Sequence, residues 1–239
     1  MDIIPYSRQW IDEKDVEAVS RVLRSDWLTQ GPAVEAFENA LAKRAGTRRA
    51  VVVSHGTAAL HLGYKALGAT EGSVGITSPI TFAATANALH YCGARVRCCD
   101  VDPETGLMDP ASLASAMQQE ELAADKTHLV VPISFAGRLA PLEKIAAFAR
   151  KEGFLVLEDA AHSLGAYAER EGRIMGSASC ESTQAAILSF HPVKHLCAGE
   201  GGAILTNDEK LADRMVSLRS HGMHRPYADD ENPSPDRPS

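Results

Sequence analysis

The strongest constraint on the fold is an alternation of short apolar runs with helical periodicities along the chain. The apolar runs predict strands at about 51–53, 74–77, 95–100, 128–133 and 154–158. Amphipathic stretches between these runs predict helices that open at His55-Gly56-Thr57, at Pro110 and at Pro141. Parallel strands need crossover helices between them, so this order predicts an α/β fold with a mostly parallel sheet and helices on both faces.

Local signals predict the remaining elements. Asp12 caps a helix at about 13–24, and Pro32 begins a second helix that stops at Gly46. Asp208 caps a final helix, for which the periodicity predicts three inward residues, Leu211, Met215 and Leu218. Strands at 185–188 and 203–205 are joined by too short a loop for a crossover, so we expect this pair to be antiparallel.

Composition narrows the class of protein. The 239 residues carry a formal net charge of −7 and no basic stripe, which argues against a nucleic-acid partner. No apolar run approaches the roughly 20 residues of a membrane span, and the first residues do not resemble a signal peptide. The five cysteines form no C-x-x-C pair. We expect buried, reduced thiols and a cytoplasmic protein with no membrane partner.

The segment from Ser189 to His195, SFHPVKH, carries the most informative lysine. Its strand ends near Phe190, so Lys194 lies in the loop beyond the strand, where open α/β sheets bind ligands. A partly desolvated lysine can lose its proton and form an imine. A loop lysine taken alone is more often a solvated surface charge, and the neighbouring motifs change that interpretation.

A second motif, LVLEDAAH, delivers two carboxylates at the end of an apolar strand. Strand alternation places Glu158 and Asp159 on opposite faces, so only one can enter a site. Pyridoxal phosphate (PLP) needs a carboxylate against its pyridine nitrogen. Asp159 is our candidate, and a structural carboxylate that caps the following turn is the alternative.

A third motif, SHGTAAL, turns from a strand through glycine directly into a helix. Thr57 and the N–H groups of Thr57 and Ala58 can bind a phosphate with help from the helix dipole. An ordinary helix cap is the alternative. Ser189 could add a hydroxyl to the same phosphate, and Phe82, after the strand at 74–77, could stack on a cofactor ring or pack in the core.

Other sites are disfavoured. His191 and His195 are four residues apart, but Pro192 between them opposes a regular helix, so we predict no metal site. The glycines of 199–202 lack the G-x-G-x-x-G spacing of a dinucleotide site.

Together these segments resemble the DegT/DnrJ/EryC1/StrS family of PLP-dependent sugar aminotransferases, from about Ile4 to Arg225. The resemblance implies the large domain of PLP fold type I, the aspartate-aminotransferase architecture. The motifs IPYSRQWID, LTQGP, SHGTAALHL and SFHPVKH look most like members that use glutamate to aminate a UDP-linked 4-keto-6-deoxy-N-acetylhexosamine in pseudaminic acid synthesis, and a homodimer is expected.

The resemblance also implies roles for single residues. Lys194 would hold the cofactor as a Schiff base and move the proton, Asp159 would pair with the pyridine nitrogen, and His162 would approach the ring oxygen. The other residues implied in cofactor binding are Gly56, Thr57, Ala58, Phe82 and Ser189. Those implied in sugar-nucleotide binding are Tyr6, Thr29 and Gln30.

The resemblance leaves alternatives open at the C-terminal end. We expect a PLP-binding domain over 1–225 and a disordered, proline-rich tail over 226–239, without the smaller C-terminal domain of the family. One alternative is a truncated PLP-binding fragment that is inactive or depends on a partner. Another is a PLP-dependent sugar dehydratase, although those relatives carry histidine where this sequence has Lys194.

Overall fold

The computed structural model describes residues 4–5, 7–170 and 172–223. The α-helices are α1 Glu13–Leu23, α2 Pro32–Ala45, α3 Gly56–Leu67, α4 Ala84–Tyr91, α5 Pro110–Gln118, α6 Leu142–Lys151 and α7 Glu209–Arg219. The strands are β1 Arg49–Val53, β2 Val74–Thr77, β3 Arg95–Cys98, β4 His128–Val131, β5 Phe154–Asp159, β6 Tyr167–Arg170, β7 Arg173–Gly176, β8 Ala185–Ser189 and β9 Gly202–Thr206.

Seven strands form one sheet in the order β1-β9-β8-β5-β4-β2-β3. The pairs from β3 to β8 are parallel, and β9 runs antiparallel to both β8 and β1. The predicted α/β class and the predicted antiparallel β8–β9 pair are therefore confirmed. Two further features were not predicted: β9 lies between β8 and β1, and β6 and β7 form a separate hairpin.

The sheet is covered on both faces. Alternate residues of β5 and β8 point to opposite sides, as the pleat requires: Leu157 and Ile187 pack with α3, α4 and α7, whereas Val156 and Leu188 belong to clusters on the other side. That other side is covered by α2, α5 and α6. Burial on both faces explains why the central strands read as continuous apolar runs.

The helix boundaries follow their caps. Asp12 forms a capping box with Asp15, and Asp109 and Asp208 accept N–H bonds in the first turns of α5 and α7. Gly46 ends α2 in the left-handed conformation, with a φ of 75°.

Two expectations about local packing are wrong in part, and one about the tail falls on residues that the structure does not describe. Leu218 is 45% exposed, so its predicted inward position is wrong, and Ala212 and Met215 form the inner face of α7 instead. Cys98 is exposed, which contradicts the expectation of buried thiols at that position, whereas Cys92, Cys99 and Cys180 are buried. No residue of α1 is buried. The predicted tail at 226–239 lies outside the described residues.

Candidate active site

A cavity of about 510 Å³ opens at the carboxyl ends of the parallel strands. This is the edge at which open α/β sheets bind ligands, and the volume suits a small molecule. Of the residues proposed from the sequence, seven line the cavity: Gly56, Thr57, Phe82, Asp159, His162, Ser189 and Lys194. Residues distant in the sequence therefore meet at one place because several strands end at the same edge.

The loop that carries Lys194 is closed at its base by Phe190. The Phe190 N–H donates to the carbonyl of Gly201, and the Phe190 carbonyl accepts from the N–H of Ala198. The Phe190 ring is fully buried and packs edge-on against Phe37 at 5.2 Å. Within the loop, the Lys194 N–H donates to the His191 carbonyl at 2.8 Å, which forms a turn.

Lys194 is half-buried, and the charge of Asp159 acts on its ammonium group. Desolvation lowers the pKa of the Lys194 ammonium, and the nearby carboxylate of Asp159 opposes this effect. The amine is therefore easier to deprotonate than a surface lysine, which suits a nucleophile or a proton carrier.

Asp159 ends β5 with its carboxylate inside the cavity. Thr85 donates to its Oδ2 at 2.7 Å, and the Ala161 N–H donates to Oδ1 at 3.1 Å. Burial raises the pKa of Asp159, while these hydrogen bonds and the charges of His162 and Lys194 act to lower it.

Glu158 lies on the other face of β5 and has a structural role there. It is fully buried, accepts from the Ser134 hydroxyl at 2.5 Å and accepts from the Ala178 N–H at 3.2 Å. Ser134 in turn accepts from the Ala140 N–H. Glu158 therefore ties together the segments that follow β4 and β7, and it does not line the cavity.

His162 follows Asp159 and is half-buried. Its ring lies 5.5 Å from that of Phe135, tilted by 41°. Desolvation, followed by the charge of Lys194, lowers the pKa of His162. A neutral imidazole can donate one hydrogen bond and accept another.

The start of α3 forms the opposite wall, and close packing defines its shape. A Cβ on Gly56 would lie 2.9 Å from Ser189 Cβ and 3.0 Å from its hydroxyl oxygen, so only glycine fits beside Ser189. Gly202 of β9 has a similar role, because a Cβ there would lie 2.6 Å from the His55 carbonyl. Glycine at both positions lets this turn approach β8 and β9 closely.

The N–H groups at this turn are not all available. The Ala58 N–H, which we expected to contribute to a phosphate site, donates to His55 Nδ1 at 2.9 Å. The N–H groups of Gly56 and Thr57 have no acceptor within the helix, since they precede its hydrogen-bond pattern. An anion bound here would meet these two N–H groups and the hydroxyls of Thr57 and Ser189.

Some proposed residues lie elsewhere, and some lining residues were missed. Thr29 and Gln30 lie in an exposed turn before α2 and are not among the described residues that line the cavity. Tyr6 lies outside the described residues. His55, Phe135 and Glu200 line the cavity without having been assigned a role. The position of His55 directly before Gly56, where α3 begins, could have indicated that it lies beside the cavity.

The residues present fit pyridoxal phosphate. The amine of Lys194 suits an aldehyde, and the buried carboxylate of Asp159 suits a pyridine nitrogen. The hydroxyls of Thr57 and Ser189, with the N–H groups at the start of α3, suit a phosphate. In the described part of the chain, no group of three or more His, Cys, Asp or Glu side chains is arranged to hold a metal ion. None of the described helices is long and apolar enough to cross a bilayer.

Comparison with known proteins agrees with this geometry. Residues 9–233 match the model of the DegT/DnrJ/EryC1/StrS aminotransferase family. The spore coat polysaccharide biosynthesis protein SpsC of Bacillus subtilis is 39% identical over 93% of this chain and 54% of its own length. A UDP-4-amino-4,6-dideoxy-N-acetyl-beta-L-altrosamine transaminase of Campylobacter jejuni is 37% identical over 92% of this chain and 56% of its own.

A solved structure shows the same architecture. Helicobacter pylori PseC, an aminotransferase involved in pseudaminic acid biosynthesis, has a TM-score of 0.80 and 29% identity, over 96% of this chain and 59% of the other. The chain thus spans about half the length of the relatives it matches.

Proposed function

Because this chain belongs to the DegT/DnrJ/EryC1/StrS aminotransferase family, we propose that it carries the PLP-binding site of a sugar-nucleotide aminotransferase. The substrate would be a UDP-linked 4-keto-6-deoxy-N-acetylhexosamine, converted to the 4-amino sugar, with glutamate as amine donor and a homodimer as the working form. The observation that carries the proposal is that a half-buried Lys194 and a buried Asp159 line the same cavity.

The cofactor, when bound, supplies an aldehyde that condenses with amines and a protonated ring that accepts electrons. Lys194 supplies the amine for covalent attachment. Its lowered pKa also lets Nζ take up a proton and return it, so one side chain serves as covalent partner and as general base and acid in turn.

Asp159 would present its carboxylate to the ring nitrogen of the cofactor. Its two hydrogen bonds hold both oxygens in a fixed orientation, so the carboxylate would need no rearrangement to pair with a protonated nitrogen. His162, which follows Asp159 in the chain, would lie near the ring, and its neutral form could donate to a ring oxygen.

The remaining residues are proposed to orient the cofactor and to enclose it. Thr57, Ser189 and the start of α3 are proposed to hold the phosphate, with the helix dipole favouring its charge. Phe82, 72% exposed at the mouth of the cavity, is proposed to stack on the ring and exclude water. Tyr6, Thr29 and Gln30 remain candidates for sugar-nucleotide contacts.

The test begins with purified protein and added PLP. We expect an absorbance band near the visible edge, and borohydride should fix the cofactor to the peptide that contains Lys194. Lys194→Ala should lose both signals, whereas substitution of exposed Lys210 should keep them. Wild-type protein that gives neither signal would contradict the proposal.

The reaction is tested with a UDP-linked 4-keto sugar and glutamate, and products are identified by mass spectrometry. A 4-amino sugar with stoichiometric 2-oxoglutarate supports the aminotransferase. A deoxygenated sugar without amine transfer would instead support the dehydratase alternative.

A further inference from the structure

Asp159 is the final acceptor of two linked threonine hydroxyl groups, those of Thr81 and Thr85. Thr85 Oγ1 donates to Asp159 Oδ2 at 2.7 Å, and Thr81 Oγ1 lies 2.7 Å from Thr85 Oγ1. Thr85 is fully buried and Thr81 is half-buried, next to Phe82 at the mouth. Both distances are those of good O–H···O hydrogen bonds.

The direction of each bond follows from chemistry. An ionised carboxylate only accepts hydrogen bonds, so the single proton of the Thr85 hydroxyl must point to Asp159. Thr85 Oγ1 can then only accept from Thr81, so the Thr81 proton points to Thr85. The chain is therefore ordered from Thr81 through Thr85 to Asp159 whenever Asp159 is charged.

Thr85 is held so that its hydroxyl cannot easily turn away. Its side chain has no exposure, its N–H donates to the Phe82 carbonyl at 3.1 Å, and its own carbonyl accepts from Tyr64 Oη at 3.1 Å. Tyr64 belongs to α3 and is itself fully buried in the core. The core thus fixes Thr85, and Thr85 fixes one oxygen of Asp159.

The Thr85 hydroxyl also offsets part of the effect of burial on the pKa of Asp159. Burial raises the pKa of Asp159, and the Thr85 hydrogen bond is the largest of the effects that lower it, ahead of the Ala161 N–H and the charges of His162 and Lys194. Without the hydroxyl, the balance moves towards the neutral acid, which cannot pair as a charge with a protonated ring nitrogen.

We propose that Thr85 is a positioning residue for the reaction: its hydroxyl, oriented by Thr81, holds the Asp159 carboxylate aimed into the cavity and favours its charged form. The part of this inference that concerns the cofactor ring rests on the proposed function. The part that concerns the carboxylate does not, because every contact in it belongs to this chain.

The first test measures the carboxylate in ligand-free protein by carbon-13 NMR across pH. The titratable groups that face Asp159 are His162 and Lys194 from the two loops and, behind Thr85, the phenol of Tyr64. We expect Thr85→Val, which keeps the shape but lacks the hydroxyl, to raise the pKa of Asp159. Thr85→Ser should stay near wild type, and Thr81→Val should give a smaller rise.

The second test uses PLP labelled with nitrogen-15 in the ring. In wild type and Thr85→Ser, the ring nitrogen should resonate as protonated. In Thr85→Val, it should move towards the neutral value, and PLP should bind about tenfold more weakly, as expected for loss of a hydrogen bond to a charged group. A purely structural role would lower the melting temperature without moving the ring resonance.

The outcomes separate the two proposals. An unchanged Asp159 titration and ring resonance in Thr85→Val would overturn the inference. If that variant does not fold, Thr81→Val decides, because the ordered chain requires it to shift the Asp159 titration. Wild-type protein that binds no PLP would overturn the proposed function, while the carbon-13 titration would still test Thr85.

Discussion

Glu158 and Asp159 are adjacent in β5 and both are buried, yet their carboxylates lie on opposite faces of the sheet. Glu158 binds Ser134 and the Ala178 N–H, whereas Asp159 enters the cavity. The pleat therefore directs one of these two adjacent acids into the core and the other into the cavity.

This pair gives the first prediction, for which the two substitutions control each other. Asp159→Asn removes the charge that the proposed function places opposite the ring nitrogen, and it should reduce amine transfer by about 100-fold or more, the scale of a lost electrostatic contact in a transition state. Glu158→Gln should lower the melting temperature but largely keep the PLP absorbance band. Equal loss of the band in both variants would contradict this division.

The same Asp159→Asn substitution should stabilise the ligand-free protein at neutral pH. Burial raises the pKa of Asp159 above its ordinary value of 3.8, so the folded state holds its proton more tightly than the unfolded state. This group therefore costs no stability below that value and costs progressively more as pH rises towards the folded pKa. Melting curves across pH should show the gain above this range and none at low pH.

The pH dependence of cofactor capture should report Lys194. Its pKa is lowered from 10.5 by desolvation, while Asp159 raises it. Covalent capture of PLP, measured by borohydride trapping, should therefore accelerate with pH with a midpoint below 10.5. In Asp159→Asn the midpoint should fall further because an opposing charge is gone. An unchanged midpoint would mean that the two groups do not interact.

Gly56→Ala should weaken phosphate recognition through a steric clash. The added methyl group would lie 2.9 Å from Ser189 Cβ, which forces α3 away from β8. We expect weaker PLP binding with little change for pyridoxal, which lacks the phosphate. Adding Ser189→Gly should relieve the clash and restore the melting temperature, but not the hydroxyl. A double variant as unstable as Gly56→Ala would show that another contact is responsible.

His55 should behave as a helix cap. Its Nδ1 accepts from the Ala58 N–H, so His55→Ala should cost about 1 kcal/mol of unfolding free energy, whereas His55→Asn should retain most of it. Chemical denaturation of the ligand-free variants measures both. Equal losses in the two variants would indicate that the imidazole packs rather than caps.

Local signals in the sequence predicted most helices because a cap acts within a few residues. Asp12, Asp109 and Asp208 each bond to the backbone of their own first turn. The convergence of Lys194 and Asp159 was also predictable, since parallel strands end at one edge. Phe82 and Ser189 line that edge as well, and their roles stay predictions.

What the sequence did not reveal depends on non-local contacts. The proposed role of Thr85 could not be predicted from the sequence, because it depends on a hydrogen bond to Asp159, which is 74 residues away. Helix α4 was missed because its eight residues carry no side-chain cap at the start. Leu218 fits the helical period, but it is 45% exposed, and Ala212 and Met215 are the buried residues of α7.

The placement of β9 between β8 and β1 has a consequence for the order of folding. Among the described strands, β1 pairs only with β9. Val53 therefore has no hydrogen-bonded neighbouring strand until Gly202, about 150 residues later, has been synthesised. During synthesis the parallel strands from β2 to β8 can assemble first, while β1 and the edge of β8 remain open. A nascent chain halted before residue 202 would expose both edges and depend on chaperones to avoid aggregation.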